Sequence, residues 1–241
     1  MNEGIKIEST ANFKIPITSL FLRFKKGYPI QEPKIEFLLP YTLVASFFSC
    51  LSALFHFSIL IFFDTYIRDL RKGINRFRWY DYALSSSLMI ALLALLFGMY
   101  DIISLILLMS LNACMNLFGL LMEILNQNKI KKDWTPFYFG CFAGVFSWLS
   151  VYLYLINMAD SKNTPYFAWA ILITYTIMFQ TFPINMILQK KGINRWGDKF
   201  WGYRMSGYYY GEIVYQVLSI IAKSILIWLI FAGSQANPRY D

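Results

Sequence analysis

Lys223 lies far inside the last apolar segment of the chain, in the run Tyr215-Gln-Val-Leu-Ser-Ile-Ile-Ala-Lys-Ser-Ile-Leu-Ile-Trp228. An ammonium in hydrocarbon costs roughly 2.5–3.5 kcal/mol even on a lenient insertion scale, so it needs a counter-charge or a chemical use. Such an amine is either half of a buried ion pair or the anchor of a cofactor. Glu212, Ser219 and Lys223 are spaced by seven and four residues, which at about 100° per residue places them on one helical face. Asp81 and Ser85, one turn apart in Arg78-Trp-Tyr-Asp-Tyr-Ala-Leu-Ser-Ser-Ser-Leu-Met89, share a face of another segment. Asp81 is the natural partner for Lys223. It stands near the start of its segment while Lys223 is well along its own, but helical side chains tilt toward the N-terminus, so the lysine stem points back toward Asp81. A serine or a water is expected to bridge what remains.

The elements that must position these groups are membrane-spanning helices. Of 241 residues, 57% are hydrophobic and 15% charged, which excludes an ordinary soluble domain and predicts an all-α polytopic membrane protein. Crossing about 30 Å of hydrocarbon takes about 20 helical residues. Six segments qualify: Phe37 to Phe63, Trp79 to Met99, Asp101 to Leu125, Trp134 to Met158, Thr164 to Gln189 and Tyr203 to Phe231. Pro40 and Pro136 fall in first turns, whereas Gly73, Asn126 to Asn128 and Gly192 mark loops. Pro183 falls inside the fifth segment and is expected to kink it. Cys50, Cys114 and Cys141 lie in apolar stretches and read as packing residues, not a disulfide or metal set. No cleavable secretory signal is expected in the first residues.

Phe13 to Arg23 and Pro33 to Phe37 alternate apolar with polar residues around Lys26-Gly27. That pattern predicts a two-stranded excursion outside the membrane. A formal charge of +8 could suggest nucleic acid, but the basic residues sit in short connections and not on one amphipathic face. Arg68, Arg71, Lys72, Arg76, Arg78, Lys129, Lys131, Lys132, Lys190, Lys191, Arg195, Lys199 and Arg204 all fall on one side, so that side is expected in the cytoplasm and both chain ends outside. Three stretches follow: an extracellular hairpin segment over 1–36, the bundle over 37–234, and a short extracellular tail over 235–241. Tyr208 to Tyr210 fit an interfacial aromatic belt, and Glu123 and Asp101, near segment ends, read as solvated structural carboxylates.

Several motifs together resemble heliorhodopsin, the inverted branch of the retinal-binding microbial rhodopsins, over roughly residues 10 to 234. They are Leu51-Ser-Ala-Leu-Phe-His-Phe57, Arg78-Trp-Tyr-Asp-Tyr82 with Ser85-Ser-Ser-Leu-Met89, Asn112-Ala-Cys-Met115, Phe139-Gly-Cys-Phe-Ala-Gly144, and Gly211-Glu212 followed by Leu218-Ser-Ile-Ile-Ala-Lys-Ser224. The resemblance implies a rhodopsin-like helical bundle in which all-trans retinal forms a Schiff base on Lys223 with Asp81 as counterion. Ser219 and Ser85 would flank the imine, and Met89, Trp148 and Phe179 would line the polyene slot. Asn112, His56 and Glu212 would belong to the buried polar network around it. Heliorhodopsins usually carry glutamate at the counterion position, and here the shorter Asp81 stands there. No segment matches the family's first transmembrane helix, and residues 10 to 36 look like the loop that follows it, which suggests a truncated or divergent chain.

The resemblance implies no enzyme but a light sensor with a slow photocycle that signals to a partner the sequence does not name. It also implies a homodimer in which the extracellular loop takes part, embedded in membrane lipids. Two other readings stand beside it. One is light-gated or light-driven proton transport, motivated by Glu212 and His56, and the other is a chromophore-free membrane assembly.

Overall fold

The structure, a computed structural model, describes residues 14–25, 27–127, 129–159, 166–193, 196 and 206–235. Two strands, β1 (Lys14–Lys25) and β2 (Tyr28–Pro40), precede helices α1 (Tyr41–Ile61), α2 (Phe63–Arg71), α3 (Arg76–Leu96), α4 (Ile102–Leu125), α5 (Thr135–Ala159), α6 (Tyr166–Lys191) and α7 (Ser206–Gln235). Six of these helices, all but α2, are long and apolar enough to cross a membrane. The six predicted segments match them. The expected beginnings at Thr164 and Tyr203 lie outside the described residues, as do Phe13, Lys162 and Arg239.

The predicted hairpin forms, with a second strand longer at both ends than the alternation suggested. Gly27 makes the turn at φ +82°, a backbone conformation that favours glycine. Pro29 and Pro33, two prolines in a strand, are tolerated because each strand of a two-stranded sheet has an open edge that needs no N–H. An isolated hairpin is marginal in water. This one is anchored because Ile15 and Ile17 enter the core beside Tyr41, Phe48 and Leu92, and because Thr18 N–H donates to the Tyr100 carbonyl at 2.9 Å. Beyond the anchor, residues directly opposite share a face. Ser19, Arg23 and Lys25 lie with Glu32 and Lys34 on a face laced by ion pairs, while Leu20, Leu22, Phe24 and Ile35 form an exposed apolar face on the other side. The Ser19 hydroxyl and the Lys34 ammonium hold the Glu36 carboxyl below the usual glutamate range.

Two boundaries depart from expectation. The chain stays extended to Pro40, so the first span starts at Tyr41 and not at Phe37, with Pro40 just ahead of the first turn. Residues expected as loop after Phe63 form α2, whose Asp69 is bridged at both carboxylate oxygens, each at 2.7 Å, by Arg76 at the start of α3. Pro136 does fall in a first turn, and α6 continues through Pro183.

Among the spans α3 is the central one, with 72% of its most apolar window buried against 17% for α1. Asn75 caps it by accepting from Arg78 N–H at 3.0 Å. Asp101 caps α4 by accepting from Ser104 N–H at 2.8 Å, a structural role as expected. Cys50, Cys114 and Cys141, read as packing residues, are free thiols at exposed positions of α1, α4 and α5.

Candidate functional site

Lys223 on α7 and Asp81 on α3 meet directly. The lysine Nζ lies 3.0 Å from Asp81 Oδ2 and also donates to the Ser52 hydroxyl of α1. No bridging serine or water is required between the two charges, and Ser52 is a partner the sequence did not signal. The lysine side chain is 15% exposed and the aspartate 6%, so the pair is largely removed from solvent. Asp81 Oδ1 and Ser85 Oγ, both buried, have no hydrogen-bond partner among the described residues. Buried polar atoms rarely stay unpaired, so this corner has acceptor capacity to spare.

Beside the pair lies a cavity of about 510 Å³. That lies inside the range of about 300–1,000 Å³ usual for small-molecule sites. Its lining is apolar and aromatic, and among the described residues that line it Lys223 is the single charged one. Ser85, Ser219, Met89, Trp148 and Phe179 all line it. Trp148 and Phe179 meet edge to face, with centroids 4.9 Å apart at 77°, which fixes a rigid slot wall. A long apolar group carrying one carbonyl for an amine fits this donor set.

The remaining residues singled out from the sequence lie elsewhere. Asn112 does not line the cavity; it donates to Ser86 Oγ at 2.7 Å and Ser87 Oγ at 3.2 Å, fastening α4 to α3, while Asn116 one turn later lines the cavity. His56 is exposed on α1, its Nδ1 2.8 Å from the Ser52 carbonyl and its Nε2 3.3 Å from Gln216 Oε1, so it stands outside the buried polar network in which it was expected.

Glu212 belongs to a second cluster. Arg78 Nη2 contacts Glu123 Oε1 at 2.7 Å and Glu212 Oε1 at 3.3 Å, with Lys190 3.8 Å from Glu123. Asn75 supports both carboxylates, through its backbone N–H to Glu123 at 2.9 Å and its side-chain amide to Glu212 at 2.7 Å. Trp79 Nε1–H donates to Glu123 at 2.8 Å and Gln189 Nε2–H to Glu212 at 3.2 Å. Two cations therefore meet two carboxylates in a buried lattice tying α3, α4, α6 and α7.

Sequence reasoning missed this lattice. Glu123, read as solvated, has a side chain 0% exposed, and Arg78 and Lys190, read only as loop charges, are 1% and 9% exposed at their side chains. A signal was present. Asn112, Asn116, Gly119 and Glu123 follow one another by four, three and four residues, a single helical face of polar and small residues in an otherwise apolar segment. Gly119 is required on that face because a Cβ there would collide with the Trp79 ring. Gly119→Ala is therefore expected to lower the unfolding free energy by about 1–3 kcal/mol, the usual cost of overpacking, measured as a drop in the thermal midpoint in detergent.

The heliorhodopsin family model matches residues 4–235. The chain belongs to the heliorhodopsin family. As a heliorhodopsin it is an integral, multi-pass membrane protein of the microbial-rhodopsin photoreceptor type, a family whose chromophore is retinal. A search of curated proteins finds no match to this heliorhodopsin.

Proposed function

We propose that this heliorhodopsin is a light sensor in which all-trans retinal is bound to Lys223 as a Schiff base, with Asp81 as counterion, a slow photocycle and a conformational signal as output. The observation that carries this reading is the amine of Lys223, which lines an apolar cavity and lies 3.0 Å from a buried carboxylate. Bound retinal supplies visible absorption and a light-driven isomerisation. The chain supplies the rest. Asp81 balances the positive charge, Ser52, Ser85 and Ser219 offer hydroxyls close to it, and Met89, Trp148 and Phe179 confine the polyene. A buried cation is tolerated only with such compensation.

The test is to express the chain with all-trans retinal and record its visible spectrum. A band bleached by hydroxylamine supports the reading, and its absence in wild type overturns it. Asp81→Asn is expected to move that band and change its pH titration, since the variant removes the balancing charge. A band and titration identical to wild type would count against the counterion role.

Sensing is favoured over proton transport because Glu212, where a conducting path would begin, is engaged with Arg78, Asn75 and Gln189. We place the basic loops in the cytoplasm and the C-terminus outside. We also propose a homodimer, supported by the exposed apolar hairpin face, in which Phe24 is 72% exposed. Phe24→Glu is expected to shift the detergent-solubilised protein from dimer to monomer mass in light scattering.

A further inference from the structure

The cavity and the buried ion lattice share a wall two rings wide. Trp79 and Tyr215 both line the cavity, and both also lie against the Arg78 guanidinium, whose carbon is 4.4 Å from the Trp79 ring centroid and 3.8 Å from that of Tyr215. The two rings pack against each other with centroids 6.2 Å apart at 63°. They differ in how they hold the lattice. The Tyr215 ring lies face-on against the Arg78 guanidinium, whereas the Trp79 indole N–H donates to Glu123 Oε2 at 2.8 Å. An indole nitrogen is a donor only, and a hydrogen bond to a carboxylate is about twice as strong as a neutral one. Trp79 also has little freedom on the α4 side, where its ring closes over Gly119. Trp148 and Phe179, by contrast, pack against each other and make no contact with Arg78, Glu123 or Glu212 among the described interactions.

We propose that Trp79 is a positioning residue that couples the cavity to the ion lattice. A shift of the indole, imposed by a change of shape in the cavity, alters the hydrogen bond to Glu123. Glu123 then redistributes its contacts between Arg78 and Lys190, and the tie joining α3, α4, α6 and α7 loosens at the basic-loop end. Close packing makes this path efficient, because an interior at crystal-like density passes a displacement on and does not absorb it. The proposal rests on the retinal reading above.

The experiment combines two states of the full chain. Without retinal, ultraviolet resonance Raman spectra are expected to show a strongly hydrogen-bonded indole N–H that is lost in Trp79→Phe and weakened in Glu123→Gln. With retinal, the light-minus-dark infrared spectrum of wild type carrying heavy-nitrogen indole is expected to contain an isotope-shifted N–H band. A carboxylate band that vanishes in Glu123→Gln should accompany it. Trp79→Phe, which keeps a ring in the wall, is expected to lose the carboxylate band and change the decay of the last photointermediate by about ten-fold. The proposal is overturned if wild type shows no indole band, or if Trp79→Phe keeps the carboxylate band and the wild-type decay. A wild type with no visible absorption overturns the retinal reading itself, and so is distinguishable from a failure of the coupling alone.

Discussion

Lys223→Ala, expressed with all-trans retinal, is expected to yield a membrane-inserted protein with no visible band. The variant deletes the single charged group among the described residues lining the cavity and the amine that would form the carbon–nitrogen bond to the aldehyde, with loss of water. Noncovalent retinal in the remaining apolar slot would absorb as the free aldehyde, outside the visible range of a protonated imine. Stability gives a second readout. Removing the lysine leaves Asp81 buried with Oδ1 already unpaired and Oδ2 now without its cation, and an orphaned buried charge of this kind costs about 3–5 kcal/mol. Lys223→Ala with Asp81→Asn replaces the charge by a neutral amide and is expected to recover part of the thermal midpoint while leaving the protein colourless. A visible, hydroxylamine-sensitive band in Lys223→Ala would show that the anchor lies elsewhere.

Glu123→Ala is expected to be the most damaging substitution away from the cavity. The Glu123 side chain is fully buried and accepts from Arg78, Trp79 and the Asn75 backbone, with Lys190 close by. Its removal leaves Arg78 with Glu212 at 3.3 Å as the remaining counter-charge among the described residues. Breaking a buried pair by deleting one member costs about 3–5 kcal/mol. A marginally stable protein has only about 5–15 kcal/mol in total, so the loss should appear as a large fall in the detergent thermal midpoint or in yield. The double variant Arg78→Met with Glu123→Leu removes both charges and is expected to lose less than the sum of the two single variants, which a double-mutant cycle reads directly. Strict additivity would mean that the two groups are not energetically coupled.

These two clusters were not equally visible in the sequence. Lys223 stood out because a charge within a long apolar window has no bland explanation, and its face was legible from the positions of Ser219 and Glu212. Asp81 could be chosen as its partner because both helices start at the same side and the lysine stem points back along its own. Glu123 escaped because its position two residues before the end of α4 looked like a membrane boundary. Hydropathy reports depth along a helix and not the direction in which a side chain points around it. Arg78 and Lys190 were hidden for the same reason, being near chain-connecting segments and yet turned inward. The expectation for His56 failed in the opposite sense: the motif that contains it was sound, but α1 turns that position to the outside.

What the sequence determined by itself is whatever depends on local period and length: six spans, the hairpin, the family, and the shared helical face of Ser219 and Lys223. What only the tertiary structure decided is which faces meet. Between Arg78 and Asp81 the rise along α3 is about 4.5 Å, and between Glu212 and Lys223 it is about 16.5 Å along α7. The same two helices nevertheless pair at both levels, with Arg78 on Glu212 and Lys223 on Asp81. Long side chains leaning toward their helix N-termini close that difference, and helix rotation and crossing set whether they can. Neither quantity is written in a residue period, because both arise from packing against other helices. That packing separates a cavity with one amine from a buried lattice of two cations and two carboxylates, with Trp79 and Tyr215 between them.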